Sequence, residues 1–235
     1  MTADATPDRL RWLRLLQLAS PALPIGAFAY SQGLEPAVAA GLVRDEASAA
    51  AWILGVLRGP LAGQDLPIFV RLHAAHAAGD VTAAERWNAF LLASRPTLEL
   101  QTEDRHLGTA LGRVLATLDV PELARTSGQS AGTAPSVPTL ASQFARAAAA
   151  FGIDARTAAE TFAFTWAEAQ ASAAVRLVPL GQSAGVRIVA RAAAAIPAAV
   201  AAALTLADDD IAGAAPGLAL LSAAHETQYS RLFRS

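Results

Sequence analysis

The sequence contains no cysteine and no lysine, one methionine and two tyrosines among 235 residues. Without cysteine there is no disulfide, thiolate metal ligand or cysteine nucleophile. Without lysine the phosphate loop G-x-x-x-x-G-K-[ST] cannot be written, and G-x-G-x-x-G is missing too, so neither glycine-rich nucleotide cradle is available. Charge is also scarce, at 16% of residues against roughly 25% in ordinary domains. The formal net charge of −2 argues against general affinity for nucleic acid, which needs clustered positive charge. No stretch shows the alternating β-branched and aromatic pattern of strands, and no period of repeat length recurs. The opening residues, M-T-A-D-A-T-P-D-R, are polar and lack an apolar signal core.

What is present is apolar. Hydrophobic residues make up 54% and mean hydropathy is +0.35, though much of this is alanine, a strong helix former. The surplus is expected to be buried between subunits. The most apolar window, Ala192–Ala207, is mostly alanine and contains Pro197, so it reads as a buried helix pair rather than a membrane span. The whole chain reads as all-α, one domain of roughly nine to ten helices.

Helix boundaries are marked locally. Asp45, Asp80, Thr97, Thr139 and Asp154 stand where N-caps belong. Gly41, Gly79 and Gly152 stand where helices stop. Leu10, Leu13, Leu16 and Trp12, with Leu15, predict an apolar helix face near the start. Residues 1–8 are expected to form a disordered tail. Residues 119–138, with three prolines and two glycines, are expected to form a mobile loop. Helices are predicted at 183–195, 197–206 and 216–224, followed by a C-terminal tail, 225–235.

One stretch, Leu18 to Glu35 (L-A-S-P-A-L-P-I-G-A-F-A-Y-S-Q-G-L-E), has a shape of its own. Pro21 and Pro24 fix φ and remove donors, while Gly26 and Gly33 permit backbone that other residues resist. Aromatic and polar side chains on such a shaped loop tend to make contacts rather than fill a core. Ser31 is placed to cap a helix running to Ala40, with Pro36 inside it.

Three further groups carry chemistry. His73 and His76 stand three residues apart on a helix, close enough to share a metal, but Asp80 is the only carboxylate nearby; two solvated histidines are the commoner outcome. Glu99 and Glu103 share a helix face, with Arg95 in reach of Glu99. They read as a solvated pair, the commoner outcome, as an acid–base pair or a hard-metal site, or as a docking face for an arginine-bearing partner. The ending H-E-T-Q-Y-S-R-L-F-R-S is rich in the Tyr, Arg and Phe that anchor interfaces.

The Pro-rich run followed by Phe28-Ala-Tyr-Ser-Gln-Gly-Leu-Glu35 resembles the N-terminal signature of the UreF family of urease accessory proteins. Ala93–Leu111, Ser172–Gly185 and the C-terminal ending resemble three further motifs of that family, in the same order. The resemblance implies an all-helical, non-catalytic, commonly dimeric cytoplasmic scaffold without a cofactor. Its implied partners are the accessory protein UreD (UreH) and the GTPase UreG, which together deliver nickel to apo-urease. It further implies that Tyr30 and Arg231 face partners, with Ser31, Gln32, Glu35 and Tyr229 beside them. Ala29, Pro36 and Pro96 depart from the family pattern, which leaves the helix start and kink near Pro36 open. A metal-binding chaperone or hydrolase built on His73, His76 and nearby carboxylates stands as the reading from another class.

Overall fold

The computed structural model describes residues 6–124 and 137–235. Every regular element among them is helical: α1 (Thr6–Ala19), α2 (Leu34–Ala39), α3 (Glu46–Val56), α4 (Leu66–Ala78), α5 (Val81–Ala93), α6 (Leu98–Ala116), α7 (Pro121–Ala124), α8 (Leu140–Ala150), α9 (Ala155–Leu177), α10 (Gln182–Thr205) and α11 (Pro216–His225). Nine of these described helices have ten residues or more, which agrees with the all-α expectation. The caps fall where the sequence puts them. Asp45 and Ser48 form a reciprocal capping box on α3. Asp80, Thr97, Thr139 and Asp154 each accept a backbone N–H of the helix they precede.

The helices pack around two hydrophobic clusters. In one, Phe69 of α4 stacks on Phe162 of α9 with ring centroids 4.9 Å apart, and Phe144 of α8 closes the trio edge-on to Phe162 at 5.5 Å. The other joins Leu34, Ile53, Ala171, Ala174, Ile188 and Phe233. The long helices α9 and α10 meet through small residues. A Cβ on Gly185 would stand 2.9 Å from Val175 Cγ2, so glycine sets how closely this pair approaches. Gly108 does the same for α6, where a side chain would run into the carbonyl of Pro138. Asn88 pins that crossing strand of chain, donating to Val137 O (3.1 Å) and accepting from Thr139 N–H (2.8 Å).

Four local expectations are corrected. The predicted core face of α1 is turned outward: Leu15 and Leu18 are buried, while Leu10, Trp12, Leu13 and Leu16 are exposed. Ser31 is not the N-cap of α2. That cap is Gly33, in left-handed backbone at φ 82°, and Pro36 falls in the first turn, where proline fits without a kink. The two helices predicted around Pro197 are one, since α10 runs through it. Proline removes a donor and crowds the preceding turn, yet Pro197 sits on the exposed side, and Ile196 and Val200 beside it hold the helix to the core. Gly59–Pro60 does break α3, but the chain continues to α4 through a widened turn, Leu57–Asp65.

Within the stretch expected to be a tail, Thr6–Asp8 belong to α1. Within the stretch expected to be a loop, α7 forms one turn and buries Leu123; residues 125–136 lie outside the described residues. Helix α10 is long and apolar enough to cross a membrane by length and composition. It packs on α9 and α3 and buries Ile188, Ile196 and Val200.

A carboxylate clasp around the C-terminal segment

The shaped loop, α2 and α6 converge on one object, the segment that follows α11. This segment bends at 229–230 and again at 232–233, with Phe233 and Ser235 turned inward and Leu232 and Arg234 outward. Two backbone hydrogen bonds tie it to the loop: Arg234 N–H to Ala29 O (2.8 Å) and Ser31 N–H to Ser235 O (2.9 Å). Ser31 Oγ adds a short second bond to the same oxygen and accepts from Glu35 N–H. Buried Ser31 is therefore a loop-to-segment strut.

Three carboxylates grip the segment from below. Glu35 Oε1 accepts the N–H of Leu232 (2.7 Å), and Oε2 accepts that of Phe233 (2.8 Å). Glu99 receives Arg231 at 2.6 Å on one oxygen and faces His225 Nδ1 at 2.7 Å with the other. Glu103 accepts Ser235 Oγ–H (2.7 Å) and Gln32 Nε2–H (2.6 Å). His225 is fully buried, and its Nε2 lies 3.3 Å from Glu35 Oε2. Phe233 fills a pocket with 3% of its surface exposed, and the Arg176 guanidinium lies 4.5 Å from its ring centroid. Burying a ring of that size contributes about 1.5–3 kcal/mol.

Gln32 links the clasp to the core. Its backbone is left-handed at φ 51°, a conformation that bulky residues avoid. The side-chain amide explains why it is held there, donating to Glu103 and accepting from Trp166 Nε1–H at 2.7 Å. Gln32 and Glu103 also line a cavity of about 130 Å³. On its polar side Arg95 bridges Asp65 (2.5 Å) and Asp104 (2.6 Å), not Glu99 as the sequence spacing suggests. Burial alone would lower the Arg95 pKa, but Asp104 and Asp65 outweigh it and raise it. Burial pushes Asp104 up, against the pull of Arg95. Burial raises Glu103 to about 7, with the hydrogen bonds from Ser235 and Gln32 pulling the other way and Asp104 adding to the rise.

The six residues expected to face partners divide. Tyr30 is buried, with its hydroxyl 3.2 Å from His106 Nδ1. Ser31 and Glu35 hold the segment directly, and Gln32 reaches it through Glu103. Tyr229 is fully exposed, and Arg231 is half exposed on Glu99. On α6, Glu99 takes the chain's own Arg231, and Glu103 takes Ser235 and Gln32 rather than an arginine. Sequence reasoning missed Trp166, Arg176 and Ser235; a lone indole or serine carries no local signal of a partner more than a hundred residues away.

His73 and His76 are not solvated. His73 Nε2 contacts Ile153 O at 2.8 Å, and His76 Nε2 lies 3.3 Å from Ser142 Oγ. Burial, with Arg146 and His73 nearby, lowers the His76 pKa to about 4. Among the described residues no three His, Cys, Asp or Glu side chains gather as a metal-holding group. The string G-Q-S-A-G at Gly181–Gly185 matches the pattern of a hydrolase nucleophile turn, which requires a strand before it. Here it follows α9 and opens α10, with Ser183 exposed. A second copy, at 128–132, lies outside the described residues.

Fold and site together define an all-helical chain whose polar centre is organised around its own C-terminal segment. The UreF family model matches residues 43–193. Proteins named urease accessory protein UreF from Alkalilimnicola ehrlichii and Azoarcus sp. are each 47% identical over the full length of both chains. The protein of that name from Chromohalobacter salexigens is 47% identical over 97% of this chain and 96% of its own. The chain belongs to the UreF family of urease accessory proteins.

Proposed function

We propose that this chain is a non-catalytic scaffold of urease maturation, working in the cytoplasm as a homodimer. It binds the UreD (UreH) accessory protein and the UreG GTPase, recruits the GTPase and regulates it while nickel passes to apo-urease. Family membership supports the accessory role. The observation that carries the finer reading is the two-sided C-terminal segment. Its inner edge is fixed by Ser31, Glu35, Glu99 and Glu103, while Tyr229, Arg231 and Leu232 stand on the outer edge. Tyr and Arg are residue types that dominate interface energies, and Arg231 is fixed on Glu99. In this reading Ser31 and Glu35 act through the segment they hold, Gln32 through Glu103 and Tyr30 through the loop it shares with them, and Tyr229 and Arg231 touch the partner.

The test is size-exclusion chromatography with light scattering on the chain mixed with the UreD and UreG proteins of its own genome. Wild type is expected to form one defined complex, and Tyr229→Ala with Arg231→Ala to weaken it at least tenfold without changing the melting temperature. A wild type that forms no complex with UreD refutes the reading.

A further inference from the structure

Gln170 is a polar residue on an apolar stripe. It lies on the buried face of α9 among Ala163, Ala167, Ala171 and Ala174, with only 3% of its surface exposed. Yet among the described residues its side-chain amide has no hydrogen-bond partner. Buried amides are rarely left so, because the hydration they lose goes unanswered. Leucine or methionine would fill the same space without that cost, so packing does not explain a glutamine here.

The amide borders the cavity of about 130 Å³ that Gln32 and Glu103 also line. The other uncharged polar side chains of that lining are engaged. Thr165 donates to Thr161 O, Gln32 uses both ends of its amide and takes the Trp166 N–H, and Tyr30 meets His106. Much of the remaining wall is apolar, with Leu107, Leu111, Phe144 and Phe162. An apolar hollow with a few placed polar groups is the usual form of a small-molecule site. Water answers the amide but gains nothing from the apolar wall, whereas a short hydrocarbon tail does.

Size and charge narrow the ligand. A cavity of about 150 Å³ takes benzene, so about six non-hydrogen atoms fit. Arg95 is already shared by Asp65 and Asp104, so two carboxylates face one guanidinium and an anion is disfavoured. Among the described residues no three His, Cys, Asp or Glu side chains gather to hold a metal. A carboxamide brings the N–H donors and the carbonyl acceptor that complement the Gln170 amide.

We propose that this cavity binds a small uncharged carboxamide, whose amide pairs with that of Gln170 and whose short apolar tail lies against Phe144 and Phe162. The site lies within one chain, so it does not depend on the scaffold reading. The probe is isobutyramide, with isobutyrate and benzene as charged and wholly apolar counterparts of the same size. Each is titrated into the isotope-labelled full chain, and NMR follows the Gln170 side-chain NH₂ and the backbone amides of Thr165 and Ala169. Isobutyramide is expected to shift all three with a Kd of about 1 mM or tighter, and isobutyrate and benzene to bind at least tenfold more weakly. Gln170→Leu is expected to keep or raise the melting temperature, since an unanswered amide leaves the core. It is expected to weaken isobutyramide at least tenfold and to bind benzene more tightly than wild type does. If that variant does not fold, the order of the three probes on wild type decides alone. No shift with isobutyramide, the cavity holding water only, overturns the proposal. So does isobutyrate or benzene binding wild type as tightly as isobutyramide, or full-strength isobutyramide binding by Gln170→Leu.

Discussion

Replacing Glu35 with alanine removes the carboxylate that receives two consecutive backbone amides, Leu232 N–H and Phe233 N–H, and faces His225 Nε2. Each hydrogen bond to a charged acceptor contributes about 1.5–3 kcal/mol, so the amide pair alone holds the segment by about 3–6 kcal/mol. Released amides regain water, and Phe233, Arg231 and Ser235 still have their own partners, so a net loss near the lower figure, about 3 kcal/mol, is expected. The segment can let go while the helical core stays folded. The effect should therefore appear in hydrogen exchange before it appears in global melting. At 1.4 kcal/mol per decade, the Leu232 and Phe233 amides should exchange on the order of a hundredfold faster in Glu35→Ala, while amides of α4 and α9 stay unchanged. Glu35→Gln should fall between, because one carboxamide oxygen can serve one amide while its NH₂ confronts the other. Wild-type exchange rates at both amides in Glu35→Ala would refute the assignment of Glu35 as the segment's anchor.

Two further outcomes follow from the same geometry. Glu103 has its pKa raised from 4.5 to about 7, so between those values the unfolded chain releases a proton that the folded chain keeps. Stability should fall as pH rises across that window, by up to about 3 kcal/mol, and level off above it; denaturant titrations from pH 4.5 to 8 should show a flatter profile for Glu103→Gln. Gly108→Ala should destabilise by at least about 2 kcal/mol, because the new methyl meets the backbone at Pro138–Thr139 rather than a movable side chain; an unchanged thermal midpoint would contradict that contact.

How much the sequence disclosed depended on distance along the chain. Asp45, Asp80, Thr97, Thr139 and Asp154 act on residues three positions away, and all five were legible. The shared face of Glu99 and Glu103 was legible for the same reason. What that face meets was not, because His225, Arg231 and Ser235 lie more than 120 positions further on. Arg95 shows the local rule failing: Glu99 stands at helical spacing, but Asp65, 30 positions away, and Asp104 take the guanidinium. Periodicity located α1 without saying which way it faces, since both of its sides are apolar. Pro197 misled because tertiary packing of its neighbours outweighs the loss of one helical bond.

The clasp closes late by construction. Ser31 meets Ser235 across 204 positions, and closing such a loop costs about 2 kcal/mol more than one a tenth as long. Contacts of that separation form after the local helices in a folding chain. Until the segment arrives, Glu35, Glu99 and Glu103 surround an open trench with no hydrogen-bond donors from above. During synthesis the centre is thus completed only once residues 225–235 have left the ribosome. A chain truncated before Arg231 would keep His225 and Gln32 beside the carboxylates but would strip two amides from Glu35, the guanidinium from Glu99 and the hydroxyl from Glu103.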